Sequence, residues 1–379
     1  MQRACGPMCR NERCNRTGCR RPPLLRNPRI SMNALAMTRR AAAFALTACL
    51  AACGGGGGGD AFGGGGNGGG GGGVDGGGNG GGGGGNGGGG TTPSQVTGQY
   101  IAQPAASGAA LLAAMNDQGS RGYAYLSAMV TGGSAQNDFY VTDTAHASSR
   151  LTYETVAQAN SGDGLVAQLN QQGARGFVFK GPTMSGDGPG ISLLTVRDAT
   201  RGATYSYERQ AISGSLGSDA FQAQLNAEGA RGFRLVGPIG AGQDSFNLYA
   251  RDSSATTYSY TVIAVSGSGG MASGDALRQR MNEQGAQGDF YLGAFSLQGG
   301  AIGQVFEKSS AQNGAVEYDL SAVNLEQSAD QKLAAMNQRA AQGFFFVSDL
   351  STDDGSTYTL SARNAASLRS PLVGVAFPN

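Results

Sequence analysis

The sequence has no tryptophan, a single histidine (His146), and no cysteine beyond Cys53. After Cys53 it can therefore form no internal disulfide and no histidine-rich zinc site. A Ser-His-Asp or Cys-His apparatus would have to use His146, which makes that type of hydrolysis improbable. His146 lies in a Thr-Ala-His-Ala-Ser segment and reads as a solvated loop side chain. Charged residues make up only 14% of the chain. The apolar run Ala41 to Ala48 is too short to span a membrane.

What is abundant comes in blocks. Residues 1–36 hold eight arginines, one acid (Glu12) and the evenly strung Cys5, Cys9, Cys14 and Cys19, without a hydrophobic run. Metal sites pair cysteines two to four apart across a longer gap, so this segment reads as a non-structural leader or as sequence upstream of the true start. From Met37, Thr38-Arg39-Arg40 is a positive n-region, Ala41 to Ala48 an apolar core, and Leu50-Ala51-Ala52-Cys53 closes the pattern of a secretory signal over residues 37–52. Leu-Ala-Ala-Cys resembles the lipobox of bacterial lipoproteins. The resemblance implies lipidation of Cys53 as the first mature residue. Gly54, standing where an aspartate would favour inner-membrane retention, implies sorting to the outer membrane.

Residues 54–90 are glycine broken by eight other residues, with no apolar surface to offset chain entropy. Extended to residue 92, this tract is a tether of about 35 Å root-mean-square span and at most about 130 Å. It is no phosphate cradle, because no strand precedes it and no lysine-serine pair follows it. After Cys53 there are 17 basic and 25 acidic residues, a net charge of −8 against +1 for the whole chain. An acidic domain without basic clusters argues against nucleic acid as a partner.

The remaining residues, 93–379, repeat. Asn116, Asn170, Asn226, Asn282 and Asn337 follow one another at separations of 54, 56, 56 and 55, which marks structural repeats. The asparagines sit in copies of Leu165-Val166-Ala167-Gln168-Leu169-Asn170-Gln171-Gln172-Gly173-Ala174-Arg175-Gly176-Phe177. Pairs such as Leu165 with Leu169, Phe221 with Leu225 and Leu277 with Met281 give each copy a helical stripe. Ser161, Ser218, Ser273 and Ser328, with an acid at Asp163, Asp219, Asp275 and Asp330, predict N-caps and acidic first turns. The first copy has Ala109 instead and is expected to start less firmly. Gly119, Gly173, Gly229 and Gly285 are read as left-handed residues that end the helices, replaced in the fifth copy by Ala341 or Ala340.

A tyrosine-bearing strand precedes each helix, as in Thr204-Tyr205-Ser206-Tyr207, and two aromatic or β-branched runs follow it. Loops such as Ser185 to Gly190 and Thr352-Asp353-Asp354-Gly355 join these runs as hairpins. The fold class is therefore α+β: five tandem β-α-β-β units of about 55 residues, near 98–146, 149–201, 202–252, 255–310 and 314–363. Units of this size are marginal alone and should share a core with their neighbours. The repeat resembles a family of small bacterial domains of unknown function that carry Leu-Asn-x-x-Gly-x-x-Gly-aromatic. Tyr123, Phe177, Phe233 and Phe344 stand at the aromatic place, and Asp289 intervenes in the fourth unit. That resemblance implies no activity. The number of units matches the pentein α/β propellers, by count only, so the array is either open or closed as a five-bladed α/β propeller. The absence of cysteine excludes pentein-like catalysis.

Few residues suggest chemistry. Asp187, Asp349, Asp353 and Asp354 miss the calcium-loop pattern and read as turn residues. Arg121, Arg175 and Arg231, replaced by Gln287 and Gln342 in the last two units, would form an anion-binding row for glycans or phosphate in a regular array; the plainer reading pairs them with helix C-terminal carbonyls. The asparagines read as caps of their own loops. The functional expectation is a lipid-anchored protein of the cell outer membrane, held by Cys53, without enzymatic activity or cofactor. It would bind an envelope protein or polymer, or serve a structural role. The alternative is a carboxylate-dependent enzyme acting on envelope glycans, which needs two acids converging about 5 to 9.5 Å apart.

Overall fold

In the computed structural model the repeat becomes the same β-α-β-β unit five times over. The structure describes residues 95–184, 190–265, 271–324 and 326–368. The leader, the signal segment, Cys53, the glycine tract and Asp187 lie outside the described residues. The first unit is β1 (Gly98–Pro104), α1 (Gly108–Ser120), β2 (Ala124–Thr131) and β3 (Ala135–Asp143). The second is β4 (Leu151–Ala157), α2 (Gly162–Ala174), β5 (Val178–Met184) and β6 (Ile191–Asp198). The third is β7 (Tyr205–Ala211), α3 (Ser218–Ala230), β8 (Arg234–Ala241) and β9 (Asp244–Asp252). The fourth is β10 (Tyr258–Val265), α4 (Gly274–Ala286), β11 (Phe290–Ser296) and β12 (Ile302–Ser309). The fifth is β13 (Glu317–Ala322), α5 (Ala329–Ala340), β14 (Phe345–Ser351) and β15 (Thr357–Arg363).

Within each unit the three strands form one antiparallel sheet with the last strand in the middle, in orders β1-β3-β2, β4-β6-β5, β7-β9-β8, β10-β12-β11 and β13-β15-β14. The hairpin between the second and third strands sets this register, and the helix returns the first strand to the far edge. The second strand always carries a bulge at one place: Tyr125/Ser127, Phe179/Gly181, Leu235/Gly237, Tyr291/Gly293 and Phe346/Ser348. A bulge leaves one residue out of the ladder, and the N–H of the residue just before it becomes important below.

The helices follow the sequence signals closely at their starts. Ser161 and Ser273 accept the N–H groups of Gly164 and Ala276, and Ser328 forms a reciprocal capping box with Gln331. Ser218 does not cap: Gly217 takes that place and Ser218 is the first residue of the helix. As expected, α1 starts without a side-chain cap or a first-turn acid. At the other end the sequence reading requires correction. Gly119, Gly173, Gly229 and Gly285 lie inside the last helical turn, and the left-handed residues come three places later, at Gly122, Gly176, Gly232 and Gly288 with φ between 82 and 85°. Each end is a Schellman motif: the N–H of Tyr123, for example, reaches Gln118 O at 3.0 Å and that of Gly122 reaches Gly119 O at 3.0 Å. The fifth unit follows suit with Gly343 at φ 79° and the N–H of Phe344 on Arg339 O.

Leu165, Leu169, Phe221, Leu225, Leu277 and Met281 are all buried, as the helical stripes predict. One hydrophobic cluster contains buried residues from all five units, from Tyr100 and Met115 to Leu360 and Ala362. A second gathers Phe221, Phe233, Tyr249, Tyr260 and Val305 of the third and fourth. The units thus share apolar surface, as their small size requires.

Candidate functional site: the junctions between units

The motif asparagines act between units rather than within their own loops. Asn170 of α2 gives its Nδ2 to Tyr207 O at 3.1 Å and accepts the Tyr207 N–H on Oδ1 at 2.8 Å. An amide side chain has one donor face and one acceptor face, so it pairs with an exposed strand edge as another strand would. Asn116 holds Tyr153 in this way (3.1 and 2.8 Å), and Asn226 holds Tyr260 (3.2 and 2.7 Å). Asn337 of α5 makes the same two bonds to Tyr100 of β1, at 3.1 and 2.6 Å. Asn282 departs from the rule; it is exposed, and among the described residues no hydrogen bond joins it to Tyr318.

The clamped tyrosines complete the junction by reaching the bulge of the preceding unit. Tyr153 OH accepts the Tyr125 N–H at 2.8 Å, Tyr207 OH that of Phe179 at 2.8 Å, and Tyr260 OH that of Leu235 at 3.2 Å. Tyr318 OH accepts from Tyr291 at 2.7 Å and Tyr100 OH from Phe346 at 2.9 Å. Burial pushes all five hydroxyls well above the ordinary tyrosine range, so they stay neutral. The bulge thus loses a ladder bond and recovers it from the neighbour. The first motif glycine admits this approach: a Cβ on Gly173, Gly229 or Gly285 would stand 2.1, 2.2 or 2.3 Å from the carbonyl oxygen of Tyr205, Tyr258 or Val316. Glycine is needed there for proximity and not for its backbone angles.

The arginines bind carboxylates instead of helix carbonyls. Arg121 pairs with Asp117 at 2.9 Å, Arg175 with Glu154 at 2.9 Å, and Arg231 with Glu208 and Glu228 at 2.8 Å each. Arg175 and Arg231 also lie over the rings of Phe177 and Phe233, at 4.8 and 5.0 Å. Arg197 and Arg251, from the middle strands, lie over the same two rings at 5.1 and 4.7 Å. The sequence does signal this second column, since Arg197, Arg251, Lys308 and Arg363 all stand at or one place before the end of a third strand, but only the register brings it beside the motif.

His146 is a second correction. It is 2% exposed, and its Nδ1 lies 2.6 Å from Asp143 Oδ1, so it is a packed group of the first unit and not a solvated loop residue. The buried pair between Arg234 and Glu307, at 2.6 Å, is equally invisible in the sequence, because its partners belong to different units. Tyr260 OH and Ser367 Oγ complete the bonds to Glu307, at 3.2 and 2.6 Å. Asp354 is the turn residue expected: it accepts from Thr352 Oγ1 at 2.6 Å and the Ser356 N–H at 2.9 Å, and these bonds hold its carboxyl below the usual range, whereas Asp349 lies inside β14 and not in a turn. Asp349 accepts from Thr359 at 2.6 Å and lies near Lys332. Among the described residues no group of three His, Cys, Asp or Glu could hold a metal ion, and no helix is long and apolar enough to cross a membrane.

The five units over residues 95–368 form the part of the chain that comparison recognises. The family model of a PT dipeptide repeat lipoprotein matches residues 93–379. The chain belongs to this lipoprotein family. The match covers the whole repeat domain and leaves the glycine tract outside it, so membership rests on the folded units. No curated protein and no solved structure matches the chain.

Proposed function

We propose that this lipoprotein is anchored through lipidated Cys53 in the cell outer membrane and holds a closed ring of five units away from the bilayer on its glycine tether. The observation that carries the anchoring is a lipoprotein family match on the domain together with Leu50-Ala51-Ala52-Cys53 ahead of the tether. Closure is supported by the junction from α5 to β1. It repeats the asparagine clamp, the tyrosine hydroxyl on the bulge, and a contact from the hairpin at Gly132, whose N–H bonds Gln327 O at 2.6 Å. At this junction the helix carries Ala340 instead of glycine, and the facing strand position, filled elsewhere by Leu151, Tyr205, Tyr258 and Val316, is Gly98. A Cβ on Gly98 would stand 2.4 Å from the ring of Phe345 in β14, so the first strand approaches the fifth unit closely here too.

The role is binding or structural and not enzymatic. Acids that come together do so around a guanidinium: Glu208 and Glu228 on Arg231, and Asp163 and Asp244 on Arg209 at 2.9 and 3.8 Å. Carboxylates held in this way are poor proton donors at neutral pH. The partner fitting such a surface is an envelope protein or polymer. Membrane fractionation tests the anchor. The unaltered protein should sediment with membranes with an acylated N-terminus and no peptide from residues 1–52, and Cys53→Ser should release it. Soluble unaltered protein would overturn the assignment.

A further inference from the structure

The fourth junction keeps the tyrosine on the bulge but lacks the asparagine clamp of the others. Asn282 makes no clamp among the described residues, and the motif aromatic is displaced by Asp289, whose carboxyl is buried. What crosses it instead includes the Val316 N–H on Gly285 O at 2.8 Å, Tyr318 OH between the Tyr291 N–H (2.7 Å) and Asp289 O (2.9 Å), the Asp353 N–H on Met271 O at 2.9 Å, and Arg278 on Leu320 O at 3.4 Å.

Across this junction the chain leaving β15 turns back. Asn364, which follows Arg363, is the only described non-glycine residue with positive φ, at 60°. Asparagine tolerates that conformation better than other residues, yet it is held there by contacts. Its Nδ2 donates to Glu317 Oε1 of β13 at 2.8 Å. Its carbonyl accepts from Gln312 Nε2 at 2.8 Å, while the Ala366 N–H donates to Gln312 Oε1 at 2.7 Å. Gln312 thus uses both ends of its amide on this turn, as the motif asparagines use theirs on a strand. One residue on, Ser367 is 2% exposed and donates to Glu307 Oε1 at 2.6 Å. Glu307 lies in β12 of the fourth unit, Gln312 in the linker that leaves it, and residues 364–367 continue the fifth.

We infer that residues 364–367 are a strap that fastens the fifth unit to the fourth in place of the missing asparagine clamp. Gln312 is the amide that replaces Asn282, and Ser367 is the plug beneath it. The strap stands whether the array is open or closed. Its consequence, that releasing it opens the ring at this seam alone, rests on the closed-ring reading.

Hydrogen exchange read by mass spectrometry on the full protein tests this, comparing the unaltered chain with Gln312→Ala, Ser367→Ala and a chain ending at Arg363. The expected result is exchange at least about tenfold faster across β13, with β4, β7 and β10 unchanged. Unchanged exchange in β13 would overturn the strap, and so would an equal rise in all the first strands, which is the sign of general loosening. Gln312→Ala guards against a truncation that fails to fold, since it leaves the chain complete. If β1 exchanges freely in the unaltered protein, the closed ring is wrong, and the β13 comparison still judges the strap by itself.

Discussion

Gly229 lies in the last turn of α3, where an added Cβ would meet Tyr258 O at 2.2 Å, whereas one on Gly214 would meet nothing within 4 Å. Alanine normally stabilises a helix over glycine by up to about 1 kcal/mol. Gly229→Ala should nevertheless lower the melting temperature clearly, with Gly214→Ala close to neutral. Thermal unfolding checks both, and an unchanged Gly229→Ala would show that the junction has slack. Asp289 makes a second residue-scale prediction. Burial raises its carboxyl above the usual range, with Lys308 opposing. A folded pKa above the unfolded one means that the charged form is disfavoured by folding, so the cost is full above the folded pKa and vanishes below about pH 3.9, the unfolded value. Asp289→Asn should therefore raise the melting temperature at pH 7 and leave it unchanged near pH 3. Asp198 has the opposite sign: burial pushes it up, bonds from Ser149, Thr200 and the Arg150 N–H outweigh that, and its stabilisation is lost as pH falls through the lowered folded pKa. The motif's residue types were plain in the sequence, but their roles were not. Asn170 and Gly173 were read as local because caps are local; their partners, Tyr207 and Tyr205, lie more than thirty residues on, beyond any pattern of short spacing.

At the scale of elements the sequence was more informative, because helix ends and strand edges are set by neighbouring residues. Ser161→Ala and Ser273→Ala each remove a side-chain cap and should cost about 1 kcal/mol, which for a domain of this size is a few degrees in melting temperature. Ser218→Ala should cost much less, since Gly217 holds the cap position. Measured together, the three substitutions separate caps in fact from caps in composition. The order β-α-β-β and the helical stripes were legible for the same local reason. Two features were not: the bulge, which inserts one residue without any turn signal, and the central place of the third strand. Both depend on hydrogen bonds that only the assembled sheet and its neighbour supply, as the Tyr153 hydroxyl on the Tyr125 N–H illustrates.

For the whole molecule, the number of units could be counted from Asn116 to Asn337, but whether the last meets the first could not. The deciding residues, Asn337 and Tyr100, are 237 apart in sequence. A repeat domain without cysteine must hold itself by shared apolar surface and by its junctions, and each asparagine clamp satisfies two strand-edge backbone groups at once. Losing such a pair in a buried setting costs about 1–3 kcal/mol. The most direct measurement is the melting temperature of Asn337→Ala beside that of Asn170→Ala. Closure predicts similar losses, because Asn337 makes the same two bonds across the α5 to β1 junction as Asn170 makes across the α2 to β7 junction. A normal loss for Asn170→Ala with none for Asn337→Ala would contradict closure and leave an open array.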